Sequence, residues 1–335
     1  MFATFASAVL LSTMFSKANG FVSPGIGSRI GFARTADPCE GGCPLPPSSS
    51  DVGYFKERYP KIFDALQRGD KLLFLLDQDG TVTDFTLGTF VKEMKLVEEM
   101  IPLVRAFLDF GWRYAPVSAR DLKSLKAAYK EFPDLPMAGN NGYYIELAPD
   151  RLISFKSSAP NFDEAERWVK EFIAERDEDI KYHVIGAFME IGVGKSSKYR
   201  KDAETLAITL IQVIQDASEG TKMWVRYSPD CVSIEPLIAP DKSLPFQIFW
   251  ETMKDEGGTH VIAAGNGGND IPALKAAKEK GAEGSALWVH ANGPTDPENP
   301  CPGYADYAFN DVADFIEFLQ RLVKVAEALG NRKKP

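Results

Sequence analysis

The sequence predicts an α/β fold: a parallel sheet wrapped by helices on both faces, with a second α+β unit inserted as a cap. Three observations carry this reading. The run "LLFLL" (72–76) is apolar at every position, as a strand covered on both faces must be, whereas a half-exposed strand alternates. Strand-like and helix-like stretches alternate through both ends of the chain, the rhythm of a parallel sheet. In the middle, strand-like stretches follow one another directly, as in an antiparallel sheet.

A helical pattern at 54–68 precedes the strand 72–76. Helix 95–110 sets Val97, Met100, Ile101, Val104 and Phe107 on one face. Strand "WRYAPVS" (112–118) and helix 121–131 follow. Toward the other end come strand "THVIAAG" (259–265), helix 270–280 closed by Gly281, strand "SALWVHA" (285–291) and helix 311–328. The interruption comprises strands 143–147 and 151–155, helix 163–176, strand 182–193, helix 198–216, and strands 222–228 and 231–236. The expected organisation is therefore a core of 53–142 and 239–328 with an inserted cap, 143–238. A Pro/Ser-rich linker, 37–52, precedes the core.

The first 36 residues read as an address. The apolar stretch "TFASAVLLSTMFS" (4–16) is too short to span a bilayer, and Ala18 and Gly20 set up a cleavage site before Phe21. The following stretch to Ala36 lacks acidic residues and carries Arg29 and Arg34, as in an organellar transit peptide. This combination implies entry into the secretory route and a two-part plastid leader, with simple secretion as the alternative. No stable membrane insertion is expected.

Of the 335 residues, 38 are Lys or Arg and 47 are Asp or Glu, and a net charge of −9 argues against a nucleic-acid partner. His183, His260 and His290 lack zinc spacing and lie in or beside apolar runs, so they read as packed structural histidines. Cys39 and Cys43 stand in the linker, Cys231 and Cys301 apart, which makes neither a zinc pattern nor a dense disulfide framework.

The chemistry gathers at strand ends, where ligands of parallel sheets bind. The first strand runs into "DQDGTVTD": Asp77 and Asp79 can face one pocket if the chain turns out of the strand, and Gly80 permits that turn. One carboxylate can attack phosphorus while the other serves as acid and base, and the two together suit Mg²⁺. "VSAR" offers the Ser118 hydroxyl and a following backbone N–H for a phosphate oxygen, and "PDKS" offers Lys242 at a helix start. "AAGNGGND" ends a further strand with Asn266, Asn269 and Asp270, suited to metal and phosphate.

This order, Asp-x-Asp-Gly-Thr, Ser, Lys, Gly-x-x-x-Asn-Asp, resembles the haloacid-dehalogenase superfamily, and within it the members with an inserted α/β cap. "LLFLLDQDGTVTD", "APVSARDLKSLKAAY" and "MAGNNGYYIEL" follow one another as in trehalose-phosphate phosphatases, and the resemblance spans roughly 53–325. It implies a Mg²⁺-dependent phosphatase of a small phosphorylated sugar or polyol, with trehalose 6-phosphate ranked first. Asp77 would be the nucleophile and Asp79 the general acid and base. Ser118 and Lys242 would bind the substrate phosphate, and Arg120 is also expected to bind the substrate. Asp77, Asp79 through its carbonyl, Asn266 and Asp270 would surround Mg²⁺, and Asn269 would contact the phosphate or orient the metal shell.

Two departures stand out. Gly265-Asn266 replaces the family's Gly-Asp, exchanging a carboxylate for an amide. In the cap, "SIEP" puts Ser233 and Glu235 where the trehalose enzymes carry Glu-x-Arg-Pro, so an acid stands in place of Arg. Glu190, Lys195, Arg226 and Glu235 are the polar cap residues expected to read the substrate. A non-catalytic sugar-phosphate sensor and a phosphosugar mutase are the alternative functions.

Overall fold

The computed structural model describes residues 51–83, 94–155, 166–167, 169–171, 174, 180–185, 188–193, 223–228, 231–236, 240–255, 257–291 and 300–331. The leader, most of the linker, helix 198–216, most of helix 163–176 and Lys195 lie outside them.

Chain order begins with helices α1 (Asp51–Arg58) and α2 (Pro60–Arg68), strand β1 (Lys71–Leu76), α3 (Met100–Asp109), β2 (Arg113–Pro116) and α4 (Leu122–Ala128). Short strands β3 (Met137–Gly139), β4 (Tyr144–Glu146) and β5 (Leu152–Ser154) follow, then β6 (Ile180–Ile185), β7 (Phe188–Val193), β8 (Met223–Ser228) and β9 (Cys231–Pro236). The chain returns through α5 (Ser243–Met253), β10 (Thr259–Gly265), α6 (Ile271–Glu279), β11 (Gly284–Val289), β12 (Tyr307–Phe309) and α7 (Val312–Ala328).

Five strands form a parallel sheet in the order β12-β11-β10-β1-β2. β1 sits inside it, paired with β10 and β2, and its apolar run fills two cores. Leu72, Phe74 and Leu76 face one core with α1, α2, α3 and α7; Leu73 and Leu75 face the other with Phe246 and Phe249 of α5 and Leu274 of α6. Phe74 stacks on Phe107 at a centroid distance of 4.2 Å. Each such fully buried ring contributes about 1.5–3 kcal/mol of transfer free energy. Strand and helix thus fix the position at which β1 ends.

The antiparallel strands form two sheets, where the sequence suggested one. β3, β4 and β5 make a small sheet of their own, joined to the end of β2 by a Val117–Ala138 bridge. β6, β7, β9 and β8 make the other. The stretch expected as one strand, 182–193, is a hairpin of β6 and β7. The expected helix 54–68 is two helices, because Pro60 cannot continue α1 and instead opens α2.

Met189 and Ile191 of β7 and Val232 and Ile234 of β9 are buried on one face of the four-stranded sheet. A helical turn lies on that face: Lys170 sits over the Tyr182 ring, and the Tyr182 hydroxyl donates to Glu166. Strand alternation puts the positions of Glu190, Ser233, Arg226 and Glu235 on the opposite face. Register aligns His183 with Glu190, Glu190 with Ser233, and Ser233 with Arg226 in one row, with Trp224 opposite Glu235. His260 and His290, read from the sequence as packed, are buried. No helix among the described residues is long and apolar enough to cross a membrane.

Candidate active site

β1 ends at Leu76, and the Asp77 amide still donates to the Ala264 carbonyl of β10 at 2.9 Å, so the first carboxylate is held by the sheet itself. The chain then turns. The Gln78 carbonyl accepts from the amides of Thr81, Val82 and Thr83 and from the Thr83 hydroxyl, at 3.0–3.2 Å. Gly80 sits at φ 77°, which glycine adopts without strain; a Cβ there would also stand 2.5 Å from the Asn266 amide. This turn leaves Asp79 near enough to Asp77 for its charge to add to the upward push on the Asp77 carboxyl.

Lys242, at the N-terminus of α5, is 1% exposed. Its ammonium donates to Asp77 Oδ1 at 2.5 Å and Asp270 Oδ1 at 2.6 Å. Asp270 Oδ2 accepts from the backbone amides of Asn266 and Gly267. A Cβ on Gly265 would fall 2.3 Å from the Asp270 carboxyl carbon, so glycine is what lets this carboxylate fold back under the loop.

Two carboxylates share one ammonium, leaving surplus negative charge in a dry cluster. Burial, then the Asp270 charge, push the Asp77 carboxyl up to about 7 against the opposing pull of Lys242. Burial works against the Lys242 charge as well, but Asp270 and Asp77 outweigh it and raise its pKa. Two carboxylate contacts at 2.5 and 2.6 Å favour the charged ammonium.

Asp79 is held differently. The Arg120 guanidinium donates to both its oxygens, at 2.7 and 2.8 Å, with the two side chains 21% and 27% exposed. Arg120, assigned from the sequence to the substrate, is therefore already engaged with the second carboxylate. The buried Ser118 Oγ accepts from the Arg120 amide at 3.1 Å, fixing the loop that presents the guanidinium. Asn269 donates to the Asn141 side chain at 3.2 Å and so ties the β10 loop to the 139–142 turn. In that turn Asn140 and Asn141 both adopt left-handed backbone conformation.

The Asn266 side-chain amide stands 2.6 Å from the Asp79 carbonyl oxygen, 3.0 Å from Asp77 Oδ2 and 3.2 Å from Thr81 Oγ1. With its nitrogen turned toward them it donates to these oxygens. With its oxygen turned inward, Oδ1 accepts from the Thr81 hydroxyl at 3.2 Å and converges with the Asp79 carbonyl and Asp77 Oδ2, three oxygens with no donor between them, a set that suits a hard cation such as Mg²⁺. Among the described residues no group of three or more His, Cys, Asp and Glu is spaced to hold a metal, so the fitting set is this mixed one of carboxylate, carbonyl and amide. Glu235 stands on β9 of the four-stranded sheet.

Sequence reasoning assigned no role to Gln78, Thr81, Tyr114 or Tyr129, although all four are buried around this turn. Thr81 follows the Asp-x-Asp-Gly signature and was open to discovery there; the tyrosines carried no signal beyond an apolar helix and strand.

No family model matches the chain, and no curated protein sequence is significantly similar to it. Solved structures are similar in fold. The C-terminal domain of trehalose-6-phosphate phosphatase from C. albicans superposes with a TM-score of 0.64 at 12% identity, covering 79% of this chain and 96% of that one. Trehalose-6-phosphate phosphatase from Aspergillus fumigatus gives 0.51 at 14% identity, covering 78% and 97%. The C-terminal domain of the Candida albicans trehalose synthase regulatory protein gives 0.53 at 16% identity, covering 76% and 94%. The chain shares with these proteins the architecture of a parallel core and a separate antiparallel sheet.

Proposed function

We propose that this chain is a phosphatase of a small sugar or polyol phosphate, with trehalose 6-phosphate the first substrate to test. The observation that carries the reading is the pairing at one strand end: Asp77 on the Lys242 ammonium and Asp79 on the Arg120 guanidinium. A phosphate entering between the two cations meets a carboxylate on each side. One Asp77 oxygen attacks phosphorus as the bond to the leaving oxygen breaks, and Asp79, protonated, gives its proton to that oxygen. The Asp79 carboxylate then takes a proton from water, whose oxygen attacks phosphorus and releases phosphate and Asp77. Substrate oxygens compete with Asp79 for Arg120, which frees Asp79 for proton transfer. Lys242 holds Asp77 in place and offsets charge on the phosphoryl group.

Mg²⁺, the proposed cofactor, would be held by Asp77, the Asp79 carbonyl, Asn266 and Asp270, and when bound it would neutralise phosphate charge. Glu190, Ser233, Arg226 and Glu235 share one face of the cap sheet by register, where we place recognition of the sugar. The proposed address of residues 1–36, the secretory route and then the plastid, is testable by fusing them to a fluorescent protein.

Phosphate release from a panel of sugar phosphates and one aryl phosphate, with and without Mg²⁺, tests the reading. Release from at least one sugar phosphate, lost in Asp77→Asn, is the expected result; none from any, with the fold intact, refutes it. A second reading, a non-catalytic sugar-phosphate sensor, is favoured by Asn266, whose amide satisfies the Asp77 and Asp79 oxygens without a cation. Saturable binding without release distinguishes it.

A further inference from the structure

Gln78 stands between the two carboxylates, and its side chain points away from both. It is fully buried, on the side of β1 that bears Phe74 and Leu76, in a core otherwise made of apolar and aromatic groups. Its Oε1 accepts from the Tyr129 hydroxyl at 2.6 Å, and its Nε2 donates to the Leu76 carbonyl at 2.8 Å. The Tyr129 and Tyr114 hydroxyls stand 2.5 Å apart.

Hydrogen counting orders this chain in one direction. An amide oxygen can only accept, so the single Tyr129 hydrogen goes to Gln78; Tyr114 must then donate to Tyr129. Burial raises the pKa of both tyrosines, so they keep the hydrogens this requires. Tyr114 comes from β2, and Tyr129 immediately follows α4. Both are 1% exposed.

Apolar side chains at 78, 114 and 129 would pack in this core without burying an amide and two hydroxyls, each of which costs about 1–3 kcal/mol if left unbonded. What the bonded chain adds is direction. Apolar contacts tolerate rotation of a side chain, whereas a fully satisfied buried network fixes it. Fixing Gln78 fixes more than its own rotamer, because its carbonyl is the acceptor around which residues 81–83 fold and its peptide groups lead directly into Asp77 and Asp79.

We infer that Tyr129, backed by Tyr114, is a positioning residue that acts through Gln78 to hold Asp77 and Asp79 in the geometry for phosphoryl transfer. The inference rests on the phosphatase reading for its consequence in rate, but not for its consequence in rigidity. A misplacement of about 1 Å at a reacting group costs on the order of 100-fold, so a loosened turn should be visible in kcat.

The test uses the full chain with three variants. Tyr129→Phe deletes the central hydroxyl and strands Gln78 Oε1 and the Tyr114 hydroxyl; melting temperature and kcat should both fall, with KM nearly unchanged. The triple variant Gln78→Leu/Tyr114→Phe/Tyr129→Phe removes all the polar groups together. It should regain most of the melting temperature while kcat stays at least about 10-fold low, and the amides of 81–83 should exchange with deuterium faster than in the wild type. Recovery of kcat together with stability, or unchanged exchange, would show that the network is structural and overturn the inference. If the triple variant does not fold, Tyr114→Phe decides, since it removes the terminal donor and leaves the other groups bonded. A lower kcat at unchanged melting temperature supports positioning, and an unchanged kcat overturns it. If the wild type releases no phosphate, the phosphatase reading fails, and the exchange measurement still decides whether the network holds the turn.

Discussion

Replacing Lys242 by Met keeps much of the side chain's volume and removes its charge. Lys242 is 1% exposed and is the shared partner of Asp77 and Asp270, at 2.5 and 2.6 Å. Without it, two buried carboxylates face one another with no ammonium between them. Removing one partner of a buried pair costs about 3–5 kcal/mol, because the charge left behind is uncompensated. A typical domain has about 5–15 kcal/mol in total, so the loss is large but need not unfold the chain. The opposite change removes the surplus: Asp77→Asn leaves one ammonium for one carboxylate and should be as stable as wild type or more so, though inactive. The double variant should then be more stable than the sum of the single effects, by about 1–3 kcal/mol of coupling. Urea unfolding of wild type, both single variants and the double, in EDTA so that no divalent cation compensates, gives the cycle. Additive effects would mean that Lys242 is not the counter-charge of Asp77, and the proposed electrostatics of the site would fail.

Three further outcomes follow from the same structure. His260 is buried, contacting the Ala282 carbonyl through Nδ1 and Ser285 through Nε2, and burial lowers its pKa from 6.5 to about 4. Its contribution is therefore present above pH 6.5 and is lost as pH falls toward 4. It amounts to about 3 kcal/mol; His260→Gln should flatten the fall in stability between pH 7 and 4.5, measured by urea unfolding. Asn266→Asp adds an anion to a cluster of oxygens, so it should lower the Mg²⁺ concentration for half-maximal activity and reduce the melting temperature in EDTA. An unchanged response to Mg²⁺ on both measures would place Asn266 outside the metal's shell. Glu235→Arg should shift preference toward trehalose 6-phosphate and leave aryl-phosphate release unaltered; equal effects on both substrates would make the cap a lid and not a reader.

The parallel core was legible because β1 is apolar on both faces, and only a strand covered on both sides tolerates that. Asp77, Asp79, Lys242 and Asp270 were legible for a related reason: in a parallel sheet, residues distant in sequence that end neighbouring strands or start the following helices meet at one edge. β3 and β12, each three residues long, were not, since so short a run carries no periodicity. The β6–β7 hairpin was read as one strand because Gly186 and Ala187 interrupt the apolar pattern only weakly. The bidentate contact of Arg120 to Asp79 was not legible, because sequence shows a charge and not its partner and the contact depends on how the loop after β2 folds. Gln78 was hidden by its place as the variable residue between two aspartates. Its partner Tyr129 lies 51 positions away, and nothing in spacing announces a hydrogen bond between a strand end and the end of a helix.

The central claim is that Asp77 takes up a phosphoryl group. Asp79→Asn removes both the acid that protonates the leaving oxygen and the base that activates water. With an aryl phosphate whose leaving group departs without a proton, only the second loss is felt, roughly 10²- to 10⁴-fold, so the intermediate should accumulate in this variant. The variant is mixed with Mg²⁺ and an activated aryl phosphate that the wild type hydrolyses, quenched in acid within one turnover, digested and analysed by mass spectrometry. The account expects the mass of one phosphoryl group on the peptide that contains Asp77, and none when Asp77→Asn is added. Phosphate transfer to another residue, or rapid release by the wild type with no phosphoryl group trapped on Asp77 in the variant, would contradict it.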